Sequence, residues 1–389
     1  MASTQARHWR TATRALATIR RRQQVTRTEL ANLLGLRSGP TSDLVKRLVQ
    51  AELISEQSAE QTGRGRPTTT LHASPSGPVA LVLDLRHGDW RLGTCDLDGT
   101  VTIHEAGGHD GVAPDQLLDT LAQRLRRLAT AYGDRVVGAG VTVPGLAVDG
   151  RLSMPMLDWR DLDTTSLTSA VDRPVVLGND ATMAGVAEAR LHPAELNSLL
   201  HIVVEVGVGG ALIADGQPIP SAHGLHGEFG HLPFGDPGLR CPCGARGCWT
   251  AAFHLVEVAR RTGVDATADP RSWLQRLYSH PDDSNAIRGA MTSLAADLGR
   301  GIAGLINALD PSLVTLGGLA NLVRFASVGA FYDALNGGLM SAHRARSPQI
   351  VEAIAGDDAT LVGMGLSVFD QVLDAELLAR WASRRSGTA

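Results

Sequence analysis

An α/β protein of two lobes, preceded by a small winged helix-turn-helix domain, is the fold that this 389-residue sequence predicts. Three observations carry that expectation. Strands followed by helices recur in two series between residues 79 and 316, the pattern of two α/β lobes with a cleft between them. Glycine is abundant at 43 residues and aromatics make up only 4%, which favours a turn-rich α/β chain over an aromatic-packed β-sandwich. Charge is unevenly spread: residues 1–75 hold 12 Lys and Arg against 5 Asp and Glu, +7, whereas the remainder holds 24 against 35, −11. A basic head on an acidic body points to a nucleic-acid partner for the head alone.

The length suffices for two or three separate cores. The Arg-rich start lacks the apolar stretch of a signal peptide. The longest apolar run, Val136 to Val148, is too short to span a membrane and is broken by Gly138, Gly140, Pro144 and Gly145. A cytoplasmic protein without a membrane partner is expected. Four cysteines are too few for a disulfide framework in a chain this long. Cys95 falls in an apparent strand and reads as a small buried apolar residue. The other three cluster as Cys241-Pro-Cys243-Gly-Ala-Arg-Gly-Cys248, a spacing that suggests a metal before a disulfide in a reducing compartment.

Three short helices are expected in the head. Trp9 to Arg22 carries Leu16 and Ile19 on one face and many arginines on the other. Thr26-Arg-Thr-Glu29 is a capping box that opens a helix over Thr28 to Leu34, and Gly35 ends it. After the turn Gly35-Leu36-Arg37-Ser38 a third helix runs to about Gln50. Pro40 lies in its first turn, where no intrahelical N–H is needed, and Leu44, Val45, Leu48 and Val49 form its buried stripe. Two helices joined by a Gly-containing turn make a helix-turn-helix; the alternative is any small three-helix subdomain. Leu53 to Glu56 and Thr68 to Leu71 suggest the two strands of a wing, with Thr62-Gly-Arg64-Gly-Arg66-Pro67 between them. Arg64 and Arg66 on a glycine-rich backbone suit a narrow minor groove. Arg37, Ser38, Ser42 and Lys46 are the candidates for the major-groove surface of a double-stranded operator.

In the body, Val79 to Leu85 is a continuous apolar strand with Trp90 to Leu97 as hairpin partner, and Val101 to Glu105 can form a third. Gln116 to Tyr132 is an amphipathic helix, Val136 to Val143 a buried strand, and Pro174 to Leu177 a strand leading to a helix near Asp180. The second series runs from Leu199 to Val206 through a hairpin at Asp215-Gly216 to the strand Leu313 to Leu316, before Gly317-Gly318. The expected domains are 1–75, then 76–195 with a C-terminal helix at about 357–380 packing back on it, and 196–356.

The order Gly140-Val-Thr-Val-Pro144-Gly145, Asn179-Asp180-Ala181, Gly224-Leu-His226-Gly227-Glu228-Phe-Gly230-His231, then Cys-x-Cys-Gly-x-x-Gly-Cys, resembles the ROK family of repressors, open reading frames and sugar kinases. The resemblance covers roughly residues 79–375, and the head with its Gly-Arg-Gly-Arg-Pro segment is similar to the family's repressor branch. It implies an actin-like, ribonuclease H-like sugar-kinase fold for the body. It implies His231 as fourth ligand beside Cys241, Cys243 and Cys248, hence a structural Zn²⁺ with no open position. It also implies that Asn179, Asp180, Glu228 and His231 contact hexose hydroxyls, for which carboxylates and carboxamides are suited. Taken without the family, Asp180 at a helix start reads as an N-cap and the others as surface residues.

ROK kinases carry an Asp-x-Gly-Gly-Thr turn after the first strand, and the matching stretch here is Asp84-Leu85-Arg86-His87-Gly88. The glycine pair and the threonine that would approach ATP phosphates are gone. Val206-Gly207-Val208-Gly209-Gly210 keeps glycines in a shorter loop. Asp180 matches the family's general base, but a base without a held phosphoryl group transfers nothing. No catalytic residue is therefore assigned. Two departures touch the sugar side: Thr250 stands where the family has Glu, and Met156 where it has Asn. The expected function is a DNA-binding regulator, a repressor, controlled by a sugar or sugar-derived effector and acting as a homodimer or homotetramer. The alternatives are an ATP-dependent hexose kinase with a fused DNA-binding domain, and a ligand-independent regulator that senses a protein partner.

Overall fold

Helix α1 (Ala2–Arg22) is the first element of the computed structural model, which describes residues 2–22, 25–58, 69–148, 150–193, 196–222, 225–267, 269–281 and 284–386. Trp9, Ala12, Leu16 and Ile19 form its buried face. Arg20 is buried with them rather than lying among the solvent-facing arginines. Strand β1 (Val25–Thr26) leads into α2 (Arg27–Leu34), where the capping box forms in full. The Thr26 hydroxyl accepts the Glu29 N–H at 3.1 Å, and the Glu29 carboxylate accepts the Thr26 N–H at 2.8 Å. Gly35 closes α2 at φ 65°, a conformation that costs glycine nothing. Helix α3 (Ser38–Gln50) buries Thr41, Leu44, Val45 and Leu48. Val49, expected inside, is exposed, because the i, i+3, i+4, i+7 positions counted from Thr41 already fill the inward face. Strands β2 (Ile54–Ser58) and β3 (Thr69–Ala73) pair antiparallel, and β1 joins the other side of β3. Arg64 and Arg66 lie outside the described residues.

Strand β4 (Val79–Leu85) is buried at every position and pairs antiparallel with β5 (Asp89–Asp96), which pairs antiparallel with β6 (Val101–Gly108). Helix α4 (Pro114–Tyr132) returns the chain to β7 (Val136–Val143), parallel to β4 and also buried throughout. A small sheet of β8 (Leu146–Val148), β9 (Arg151–Met154) and β10 (Trp159–Asp163) follows, then the short helix α5 (Thr165–Thr168). Strand β11 (Val175–Asn179) completes the first five-stranded sheet, ordered β11-β7-β4-β5-β6.

Helix α6 (Asp180–Leu191) precedes the second sheet, whose central strand β12 (Ser198–Val204) pairs antiparallel with β13 (Val208–Ala214). Strand β14 (Gln217–Pro218) turns back at Asp215 and Gly216, both at positive φ, 51° and 75°, as the tight hairpin requires. After α7 (Leu255–Thr262), α8 (Pro270–Ser279) and α9 (Asn285–Leu309), strand β15 (Leu313–Gly318) runs parallel to β12. Helices α10 (Ala320–Ala326), α11 (Val328–Gly338) and α12 (Ser341–Ala345) lead to β16 (Gln349–Glu352), parallel to β15. Met291, Leu294, Leu298, Ile302 and Ile306 of α9 pack with Leu200, Ile202 and Val204 of β12 and with Trp249 and Phe253 in one core.

Helices α13 (Ala359–Val372) and α14 (Ala375–Ser386) end the described chain. One compact unit comprises Met1–Val143, Leu162–Gly178 and Thr360–Ala389; the other comprises Pro144–Asp161 and Asn179–Ala359. Within the first, α13 lies directly on β7, because a side chain at Gly140 would overlap Met364 and one at Gly138 would fall 2.7 Å from Val368. The same unit ties α1 and α3 to the C-terminal helices. The buried Arg20 guanidinium donates to the Asp370 carboxylate at 2.9 Å and the Leu366 carbonyl at 3.2 Å while covering the Phe369 ring. Trp381, fully buried, donates its indole N–H to the Ala51 carbonyl at 2.8 Å. No described helix is long and apolar enough to cross a membrane.

Candidate functional site

Glycines bring the Glu228 loop onto the second sheet. A Cβ at Gly227, where φ is 81°, would sit 2.5 Å from the Gly210 carbonyl oxygen, and one at Gly230 would overlap the Val208 carbonyl. The loop backbone therefore rests on β13, and a single 3₁₀ turn, Phe229–His231, orients His231. Downstream, Gly244 and Gly247 at φ 101° and 72° fold the cysteine segment back on itself, with the Cys241 N–H donated to Ala245 and the Gly247 N–H to Leu239. Trp249 anchors the end of that segment. Its indole is fully buried, donates to the Asp297 carbonyl at 3.0 Å, and occupies space that any side chain at Gly301 would claim.

The ligand atoms of His231, Cys241, Cys243 and Cys248 all lie within 4.8 Å of one another. Cys243 Sγ is 3.7 Å from Cys248 Sγ, and His231 Nδ1 is 3.5 Å from Cys241 Sγ. A tetrahedral ion with metal–sulfur bonds of about 2.3 Å and a metal–nitrogen bond of about 2.0 Å would hold its ligands about 3.8 Å apart (S–S) and about 3.5 Å apart (N–S). The four residues fit a metal ion. With Nδ1 facing the sulfurs, His231 turns Nε2 toward the Glu228 carboxylate, 3.7 Å away. Burial raises the Glu228 pKa to about 7 and lowers that of His231.

The start of α6 lies against the same strand. A Cβ at Gly209 would fall 2.9 Å from that of Ala181, and one at Gly227 3.6 Å from Thr182 Oγ1. Asn179, not Asp180, is the N-cap: it has the extended backbone from which Oδ1 reaches the Thr182 N–H at 3.0 Å, while its Nδ2 donates to the Gly145 carbonyl at 3.2 Å. Asp180 is the first helical residue, and its Oδ1 accepts the Ala181 N–H at 2.7 Å. Thr250 has a structural task, since its hydroxyl accepts the Val208 N–H at 2.9 Å. Met156 is half-buried in the turn after β9.

In the first unit the stretch from Asp84 to Gly88 is closed on itself. The buried Asp84 carboxylate accepts the Thr142 hydroxyl at 2.7 Å, Arg86 Nε–H at 3.0 Å and Arg91 Nη2–H at 3.1 Å. His109 bonds the Arg86 and Gly88 carbonyls, and desolvation lowers the His87 pKa to about 4, so that ring is neutral at pH 7. The sequence reading missed the counterpart in the second unit. Glu205, at the turn after β12, is paired with Arg271 at 2.9 Å, and its Oε1 lies 2.6 Å from where a Gly318 side chain would begin. A carboxylate at the head of a glycine-rich run was the available signal. Arg37, which precedes α3, and Ser38 and Lys46 on it are exposed and Ser42 is half-buried, so Ser38, Ser42 and Lys46 line the face away from Leu44 and Leu48 at four-residue spacing.

The chain is 22% identical over 377 residues to the xylose repressor of Bacillus subtilis (strain 168), covering 92% of this chain and 94% of that protein. It is 31% identical over 209 residues to the kanosamine kinase of Amycolatopsis mediterranei (strain S699), covering 52% of this chain and 67% of the kinase. The crystal structure of a ROK family transcriptional regulator, a homologue of the E. coli MLC protein, matches with a TM-score of 0.74 at 21% identity, covering 97% of this chain and all of that one. The body thus has the sugar-kinase-like α/β fold of these proteins. The ROK family model matches residues 94–370, well over half of the sequence, and the chain belongs to the ROK family.

Proposed function

We propose that this protein is a sugar-responsive transcriptional repressor. The observation that carries the reading is an asymmetry. The sugar-side loop is assembled around Glu228, whereas the Asp84 carboxylate of the phosphate-side turn is tied up by Arg86 and Arg91. The xylose repressor supports it, because an alignment over 92% of the chain has to include residues from the N-terminal head. In this reading α2 and α3 form the helix-turn-helix and β2 and β3 the wing. Arg37, Ser38, Ser42 and Lys46 meet the major groove, and Arg64 and Arg66 the minor groove. A homodimer or homotetramer reads a pseudo-palindromic operator.

His231, Cys241, Cys243 and Cys248 hold a structural Zn²⁺, which would supply no open coordination position and no activated water. These residues fix the loop from which Glu228 points. Asn179, Asp180, Glu228 and the Nε2 side of His231 take effector hydroxyls. Among the described residues Asn179 keeps one amide hydrogen and one lone pair beyond its two local bonds. The effector acts by binding one of two states of the protein better than the other, so operator affinity changes by that difference. The Asp84 turn, closed by Arg86 and Arg91, lacks the glycine pair and threonine that would approach ATP phosphates, and in this reading the chain is not an enzyme. The retained Asp180 favours one other reading, an ATP-dependent hexose kinase.

Mobility-shift titration of the full chain with operator and random DNA, with and without D-xylose or D-glucose, tests the proposal. Operator binding that is selective, salt-dependent and altered by sugar is expected. Equal affinity for both DNAs overturns it, and steady ADP release with any hexose would establish the kinase instead.

A further inference from the structure

Helix α6 gathers the chain near the points where it passes from one compact unit to the other. Those passages follow Val143, Asp161, Gly178 and Ala359. The helix starts at the third, with Asn179 as its cap, and the Asn179 side-chain amide reaches the Gly145 carbonyl, just beyond the first. Further along, Glu188 is fully buried. Its carboxylate accepts the Ile354 N–H at 3.0 Å and the Ala355 N–H at 2.9 Å on one oxygen, and His192 Nε2 lies 2.9 Å from the other. Ile354 and Ala355 lie between β16 and α13, just before the fourth passage, and all of these groups belong to the second unit. The Ala353 N–H is still bonded to the Leu316 carbonyl of β15, whereas the next two N–H groups turn to Glu188. Ile354 is 59% exposed, so its side chain does not anchor the segment. A carboxylate is costly to bury, and here it secures backbone that apolar packing of Ile354 does not.

We infer that Glu188 is a positioning residue for the sugar response, clamping the segment that feeds α13 to the helix whose first residues meet the effector. This rests on the sugar-effector reading above. Every residue of α6 from Ala181 to Glu188 is buried, and the helix packs on β12 and β13, so it shifts as one body. A displacement at Asn179 and Asp180 is therefore carried through Glu188 to Ile354 and Ala355. From there the chain continues into α13, whose Leu366 and Asp370 hold Arg20 of α1. The clamp thus links sugar to operator without touching either. Helix and segment move together between the two states that the effector distinguishes.

The test compares the zinc-loaded full chain as wild type, Glu188→Gln and Glu188→Ala. Operator affinity is measured with and without D-xylose or D-glucose, and sugar affinity by calorimetry. Both variants should still bind operator without sugar and still bind sugar. The sugar-induced change in operator affinity, about 5- to 150-fold for a typical coupled pair of sites, should fall to about twofold or less in Glu188→Ala. Glu188→Gln, which keeps one acceptor oxygen for the two N–H groups, should retain part of it. Amide hydrogen exchange at Ile354 and Ala355 should quicken in both variants. An undiminished sugar response in the variants, even with a lowered melting temperature, overturns the clamp and leaves the effector reading standing. If Glu188→Ala binds no operator at all, Glu188→Gln decides: a reduced response supports the clamp and a full one overturns it. If wild type responds to neither sugar, both readings fall together.

Discussion

The two five-stranded sheets share a plan but not a chemistry. In each, a central strand (β4 or β12) pairs antiparallel with the next strand and parallel with a later one, β7 or β15. The first hairpin of each sheet carries a charged residue held by an opposite charge, Arg86 on Asp84 in one and Glu205 on Arg271 in the other. Beyond the turn they part. β13 keeps Gly209 and Gly210, against which Ala181 of α6 and Phe229 of the Glu228 loop rest, and Gly207 just before it lies against Thr250. Topology determines where the turns fall, whereas the residues around them determine what the turns can hold.

Metal removal should separate the two units most sharply. Chelation or Cys248→Ser should destabilise the second unit by on the order of 5 kcal/mol and leave the first unit's melting transition in place, as read by calorimetry. An unchanged thermogram would mean that the cluster holds no metal.

His201 sets the acid sensitivity of the same unit. It is buried on β12 with Nδ1 2.9 Å from Thr315 Oγ1, and burial lowers its pKa to about 4. The unfolded chain takes up a proton near pH 6.5 that the folded chain refuses until about 4. Stability should therefore fall as the pH drops through that window, by roughly 3 kcal/mol in all, and His201→Gln should flatten the profile. Denaturant titrations from pH 7 to 4 decide it.

The two hairpin ion pairs should differ in strength. Arg91 and Asp84 have side chains 15% and 2% exposed, so Arg91→Met should cost about 1–3 kcal/mol by leaving the buried carboxylate short of a partner. Arg271 and Glu205 are 51% and 31% exposed, and Arg271→Met should cost less than about 1 kcal/mol, with an effect that shrinks in high salt. Equal costs in urea titrations would show that burial does not distinguish them.

Much of the scaffold was legible because it is locally encoded. The capping box at Thr26 and Glu29, the stop at Gly35 and the buried strand Val136–Val143 depend on residues adjacent in the chain. The cysteine spacing marked a metal loop for the same reason, and the family resemblance added His231. Local reading failed where one residue decides. It put Val49 inside α3, and it made Asp180 the cap when backbone conformation gives that role to Asn179.

By itself, then, the sequence determined the helices, the strands, the glycine turns and the kind of residue gathered near Glu228, since periodicity and turn chemistry act over a few residues. Tertiary structure alone decided that Arg20 is a buried partner of Asp370 and that Asp84 is locked by Arg91. Such contacts join distant or separately folded segments, and no spacing along the chain encodes which side chain will be waiting there.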